Sequence, residues 1–190
     1  MRVKHASNGA RKPNSKVAKA AKRMKSGASV DELYLPTGTT MSKDIAKPLA
    51  RYAAWRRAGD YIFLSGVIAV DPARKLIVQG FDDIPPEAAN AIGATGEFST
   101  DFKQGPILAQ SWYVLDRVRQ TVEAAGGSMT DVVKMVQYFT NLDHFPLYSR
   151  VRGIFFPTEP PVSTVVGVSG LMPSADVLIE VEATVYLPRT

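Results

Sequence analysis

The stretch from Asp176 to Tyr186 (DVLIEVEATVY) constrains the fold more than any other part of the chain. Ile179, Val181, Ala183 and Val185 alternate with Glu180, Glu182, Thr184 and Tyr186. Successive side chains of a β-strand point to opposite faces, so this strand has one apolar face and one face carrying two carboxylates. The apolar face requires a packed layer against it. The acidic face requires either water or a chemical role. Upstream, Pro160 to Val168 (PPVSTVVGV) reads as a second strand, joined to the first by a Pro-containing turn.

The rest of the chain supplies the layer. Its 190 residues are 45% hydrophobic, enough for one domain with a sizeable core. No apolar run is long enough to span a bilayer. Cysteine is absent, which removes disulfides, thiolate metal sites and a cysteine nucleophile and fits a cytoplasmic location. With only His5 and His144, a histidine metal site or a Ser-His-Asp triad has little support. The net charge of +5 comes from one end. Residues 1–26 hold nine of the 23 Lys/Arg and no acid, leaving 14 bases against 18 acids in the remainder. Residues 1–40 therefore read as a basic extension of a mildly acidic domain over 41–190, and Met41 (MSKDIAKP) has the form of an ordinary N-terminus. Any nucleic-acid contact would rest on the tail, and the acidic domain argues against one.

Along the domain, 50–57 and 60–69 read as strands around the turn Arg57-Ala58-Gly59-Asp60, with Lys75 to Gln79 as a third in an antiparallel meander. Tyr61 to Leu64 is apolar throughout, which implies cover on both faces. Phe81 to Pro106, rich in Gly, Pro and acid, reads as a long loop, either a cleft lid or surface decoration. Ile107 to Ala125 is an amphipathic helix with Leu108, Trp112, Leu115, Val118 and Val122 on one face, stopped by Gly126-Gly127. Asp131 to Thr140 is a strand. A second helix runs from Asn141 to Phe156, with Leu147, Val151 and Ile154 or Phe155 inward. The order βββ-α-β-α-ββ gives an α+β fold, a single mixed sheet with two helices on one face. With no helix left for the other face, a second subunit is the expected cover.

These pieces, in this order, resemble the RidA (YjgF) family of reactive enamine/imine deaminases. The resemblance is carried by Tyr52, Gly59-Asp60, Ser65-Gly66, Val122-Glu123-Ala124-Ala125-Gly126, Asp131-Val132-Val133-Lys134, Asn141-Leu142, Phe145, Phe155-Phe156, Val166-Gly167-Val168 and Ile179-Glu180-Val181-Glu182-Ala183. It covers Pro48 to Pro188. It leaves out residues 1–40, and the insert after Phe81 is longer than expected. The resemblance implies a chorismate-mutase-like homotrimer with clefts between subunits, no cofactor and no metal. In that cleft Tyr52 matches a lining tyrosine and Glu180 the working glutamate. The family's clamping arginine is absent: Pro161-Val162-Ser163-Thr164 puts Ser163 in its place, and Ser149 stands at an asparagine position.

A guanidinium grips a carboxylate through paired charge-assisted hydrogen bonds, which serine cannot replace. Either the substrate lacks that carboxylate or another cation reaches the cleft, with Arg152, Arg150, Arg51 and Arg56 as candidates. Glu180 is read as the group that deprotonates a water attacking a C=N carbon, and Glu182 as structural or solvent-facing. Tyr52 contacts substrate or packs at an interface. Ser163 and Thr164 line the cleft without a catalytic role. Ser149 and Arg152 bind substrate if they point inward and are solvated if they do not. The reading is a hydrolytic deaminase for a small enamine, imine or conjugated metabolite. The alternative is a non-catalytic trimer that binds a small metabolite in the same cleft.

Overall fold

The computed structural model describes residues 52–189. The basic extension, the boundary near Met41, Arg51 and the start of the first expected strand lie outside the described residues. The strands are β1 (Trp55–Ala58), β2 (Tyr61–Leu64), β3 (Val67–Ile68), β4 (Val70–Asp71), β5 (Leu76–Ile77), β6 (Val132–Phe139), β7 (Val162–Gly167) and β8 (Ile179–Tyr186). The helices are α1 (Pro86–Ile92), α2 (Phe98–Ala124) and α3 (Phe145–Phe155).

The main sheet runs β1-β2-β8-β6-β7, with β3 also on β8. All pairings are antiparallel except β6 with β7, so the sheet is mixed and the fold α+β. β8 is central, and its alternation dictates the layering. Ile179, Val181, Ala183 and Val185 are buried, while Glu180, Glu182 and Thr184 are half-buried and Tyr186 is exposed. The buried set joins Ile62, Leu64, Met135 and Phe139 from neighbouring strands. It also packs with Leu108, Leu115, Val118 and Val122 of α2 and with Tyr148 and Val151 of α3, forming one core between sheet and helices.

β7 and β8, consecutive in the chain, do not pair, because β6 lies between them and bonds to both. Three expectations need correction. The third strand of the expected meander is not in the main sheet: Leu76–Ile77 pairs with Val70–Asp71 in a separate two-stranded ribbon. The segment Phe81 to Pro106 is no loop. It folds into a 3-10 turn (Phe81–Asp83), α1 and the start of α2, and Ile84, Ala88, Ala89 and Ile92 enter the core. Finally, α2 starts at Phe98, well before Ile107. The Glu97 side chain caps it by accepting from the Thr100 amide at 3.1 Å, and Pro106 is carried inside it.

Tyr61 and Phe63 show why a continuously apolar strand was expected to be covered twice. Ile62 and Leu64 are buried, but Tyr61 is 46% and Phe63 49% exposed in the single chain. They lie beside Tyr186 on the face that no helix of the described residues covers.

Candidate functional site

Two corners of the sheet hold the residues singled out from the sequence, and they lie on opposite faces. The first is built around Glu180. The strand opposite β8 changes register between β2 and β3. Phe63 faces Thr184 whereas Val67 faces Val181, so one extra residue is accommodated around Ser65-Gly66. Ser65 is fixed there: its amide donates to the Ala54 carbonyl at 3.0 Å and its hydroxyl to the Ala53 carbonyl at 2.7 Å. Tyr52, just before these carbonyls, is exposed. The bulge brings Gly66 directly under the Glu180 side chain. A Cβ at Gly66 would overlap the carboxyl group, whose Cδ lies 2.8 Å from that position. Glycine is required here for space, since any side chain would push Glu180 away.

Glu180 is half-buried, with Ile68 and Tyr138 as its cross-strand neighbours. Burial raises its carboxyl above the usual glutamate value, and the like charge of Glu182 raises it further. Among the described residues no cation pairs with Glu180. A carboxyl held this way exchanges a proton more readily near neutrality than a free surface glutamate does.

The second corner is at the β7 edge, on the helix side. In the parallel register Ser163 pairs with Met135 and Val165 with Gln137. Ser163 therefore faces the same side as the buried Met135, Gln137 and Phe139. Arg152, near the end of α3, reaches across so that its Nη1 donates to Ser163 Oγ at 3.2 Å. Ser163 Oγ in turn donates to Gln137 Oε1 at 2.8 Å. The guanidinium also lies 6.0 Å from the centre of the Tyr148 ring. Among the described residues no carboxylate lies within ion-pairing distance of Arg152. An arginine without an acid among the described residues, bonded to a hydroxyl at the β7 edge, keeps most of its donors for an anion.

Of the cations considered from the sequence, Arg152 alone among the described residues is found at Ser163. The Arg150 guanidinium lies against Gly93 after α1, Arg56 is exposed on β1, and Arg51 is outside the described residues. Ser149 sits on α3 one turn before Arg152 and is half-buried. Thr164, which the sequence reading grouped with Ser163, points the other way. It pairs with Val136 and shares the open face with Glu182 and Glu180. Alternation along a strand separates neighbours by necessity. Sequence reasoning missed Gln137. Its signal was a lone amide at an inward position between Met135 and Phe139.

His144 is half-buried, and burial lowers its imidazole below the usual value. A separate groove of about 650 Å3 lies between the β4–β5 ribbon, the Phe81–Asp83 turn and α2, with Trp112 and Tyr113 on its wall. It contains neither Glu180 nor Ser163.

Comparison with known proteins places the chain in a family. A family model described as Endoribonuclease L-PSP matches residues 42–187. A RutC family protein of Pyrococcus horikoshii is 30% identical over 145 residues, 76% of this chain and 94% of the relative. The 3-aminoacrylate deaminase RutC of Acinetobacter baylyi is 25% identical over 156 residues, 82% of this chain and 98% of the relative. Among solved structures, a Klebsiella pneumoniae protein provisionally labelled an endoribonuclease is 69% identical. It covers 72% of this chain and 100% of its own, with a TM-score of 0.71. RidA from an Antarctic Psychrobacter, at 24% identity and a TM-score of 0.59, shares the fold.

Proposed function

This chain belongs to the Endoribonuclease L-PSP family, which includes the RutC and RidA deaminases, and we propose that it is itself a hydrolytic deaminase of small enamines or imines. The observation that carries the reading is Glu180: a carboxyl with a raised pKa, seated on Gly66 and free of any cation among the described residues. The reaction needs only water as co-reactant. An enamine first tautomerises to the imine, gaining a proton on carbon and losing one from nitrogen. Glu180 then removes a proton from water as its oxygen bonds to the C=N carbon, and the nitrogen is protonated. The carbinolamine collapses with cleavage of the C–N bond, giving the carbonyl product and ammonia. Each proton taken from water is returned to nitrogen, so Glu180 ends as it began.

Arg152 supplies the cation that Ser163 cannot, so a substrate carboxylate has an anchor. Within one chain, however, the anchor and Glu180 lie on opposite faces of the sheet, separated by β6. The reading therefore places the cleft between subunits of a homotrimer, with Glu180, Tyr52 and the Ser65-Gly66 bulge from one subunit. Ser149, Arg152 and Ser163 come from the next. Tyr61, Phe63 and Tyr186, exposed on the face that no helix of the described residues covers, support such assembly, because apolar aromatics at a sheet face favour burial. The protein is read as cytoplasmic. Among the described residues no helix is long and apolar enough to cross a membrane.

The test is ammonia release from a panel of small 2-imino acids generated in place, 3-amino-enoates and aminomuconates. Wild-type protein should accelerate release over buffer, and Glu180→Gln should not. If wild type matches buffer across the panel, the hydrolase reading fails. Thermal stabilisation by the carbonyl products without turnover would then favour the metabolite-binding trimer.

A further inference from the structure

Two buried glutamines in this domain are used differently. Gln110 on α2 is held by three backbone groups. Its Nε2 donates to the Val78 carbonyl at 2.9 Å and the Asp176 carbonyl at 2.7 Å, and its Oε1 accepts from the Leu178 amide at 2.8 Å. It fastens the helix to the chain entering β8. Gln137 on β6 fastens nothing of that kind. It is fully buried, its Oε1 accepts from Ser163, and its Nε2 has no partner among the described residues. A leucine or methionine between Met135 and Phe139 would fill the position without leaving a donor unpaired. The amide is explained by what its oxygen holds.

We propose that Gln137 is a positioning residue of the anion anchor, acting through Ser163 on Arg152. Ser163 has one hydroxyl proton. Donating it to Gln137 Oε1 turns the oxygen lone pairs outward, where one accepts from Arg152 Nη1. A guanidinium on the last turns of a helix otherwise samples many rotamers, and a bond to one nitrogen restricts it while leaving its other donors for a ligand. This also assigns Ser163 its place. Its proton is committed inward, so it orients Arg152 and does not donate to substrate. The contribution to catalysis rests on the reading above that Arg152 faces the substrate; the contribution to order does not.

The experiment joins side-chain NMR relaxation of the Arg152 Nε–H in the full chain to kinetics with a carboxylate-bearing imine. In wild type the Arg152 signal should be more ordered than that of the exposed Arg56. Gln137→Leu and Ser163→Ala should each bring it to the mobility of Arg56. Gln137→Glu keeps an acceptor oxygen in place and should retain the order. In turnover, Gln137→Leu should raise KM about 2–10-fold with kcat nearly unchanged, the loss of one oriented hydrogen bond. Arg152 as mobile as Arg56 in wild type, or unmoved by Gln137→Leu, would overturn the proposal. So would Gln137→Leu lowering kcat without touching KM. Absence of any turnover in wild type would defeat the deaminase reading alone, since the relaxation data still decide the relay.

Discussion

The Glu180 corner and the Arg152 corner are built by opposite means. At the first, a carboxyl is drawn into partial burial over a glycine at a bulge, beside another acid, with no cation among the described residues. At the second, a guanidinium is held by a hydroxyl and a buried amide, with no acid within reach among the described residues. Each corner lacks what the other has. Had the two been adjacent in one chain, they would form an ion pair. The pair would hold the carboxyl low and occupy the guanidinium. Separation on the two faces of one sheet keeps the acid raised and the cation available; the proposed assembly would bring them to one substrate.

The sharpest break between the corners is Glu180→Gln. It should reduce turnover about 10²–10⁴-fold while leaving binding of a carbonyl acid product within a few-fold. The same variant has a stability signature. Because the folded-state value is raised, the contribution of Glu180 to stability is full below the ordinary glutamate value and is lost as pH rises through the folded one. Glu180→Gln should therefore melt higher than wild type at neutral pH, with the difference vanishing below about pH 4. Calorimetry across that range checks the sign.

Arg152→Gln should act on the other corner only. Loss of a charge-assisted bond is expected to raise KM for carboxylate-bearing substrates about 10–100-fold and to leave neutral imines nearly unaffected. If acidic and neutral substrates weaken alike, Arg152 is not an anchor. The smallest effect belongs to Glu182→Gln. Burial is the larger cause of the raised Glu180 carboxyl and Glu182 the lesser, so removing its charge should move the acidic limb of the kcat/KM profile downward by less than about one pH unit. An upward move would mean that Glu182 does not face Glu180 as a like charge.

The sequence made the Glu180 corner easier to foresee than the Arg152 corner, for a physical reason. Period-two alternation over Ile179 to Tyr186 reports the faces of β8 directly. Local pattern could not report that β6 lies between β7 and β8, since that depends on pairing over long separations. Nor did it show Arg152 reaching Ser163, because a helical arginine with a serine eleven residues on looks like any solvated pair. The insert was misjudged for a local reason. Gly105 and Pro106 are poor helix residues, yet the Phe81 ring packs against Gly105 and the tertiary contact overrides propensity. The long reach of α2 was hidden behind two residues that ordinarily end helices.

The central claim is that a working site takes Glu180 from one subunit and Arg152 from another. Hybrid oligomers of Glu180→Gln and Arg152→Gln chains test it most directly, using ammonia release from a carboxylate-bearing imine. Each variant alone should be severely impaired. A mixed trimer should recover about a third of wild-type activity, because one of its interfaces joins the intact Glu180 of one chain to the intact Arg152 of the other. No recovery in hybrids shown to be mixed would contradict the account, since a site contained within one chain stays broken in every subunit.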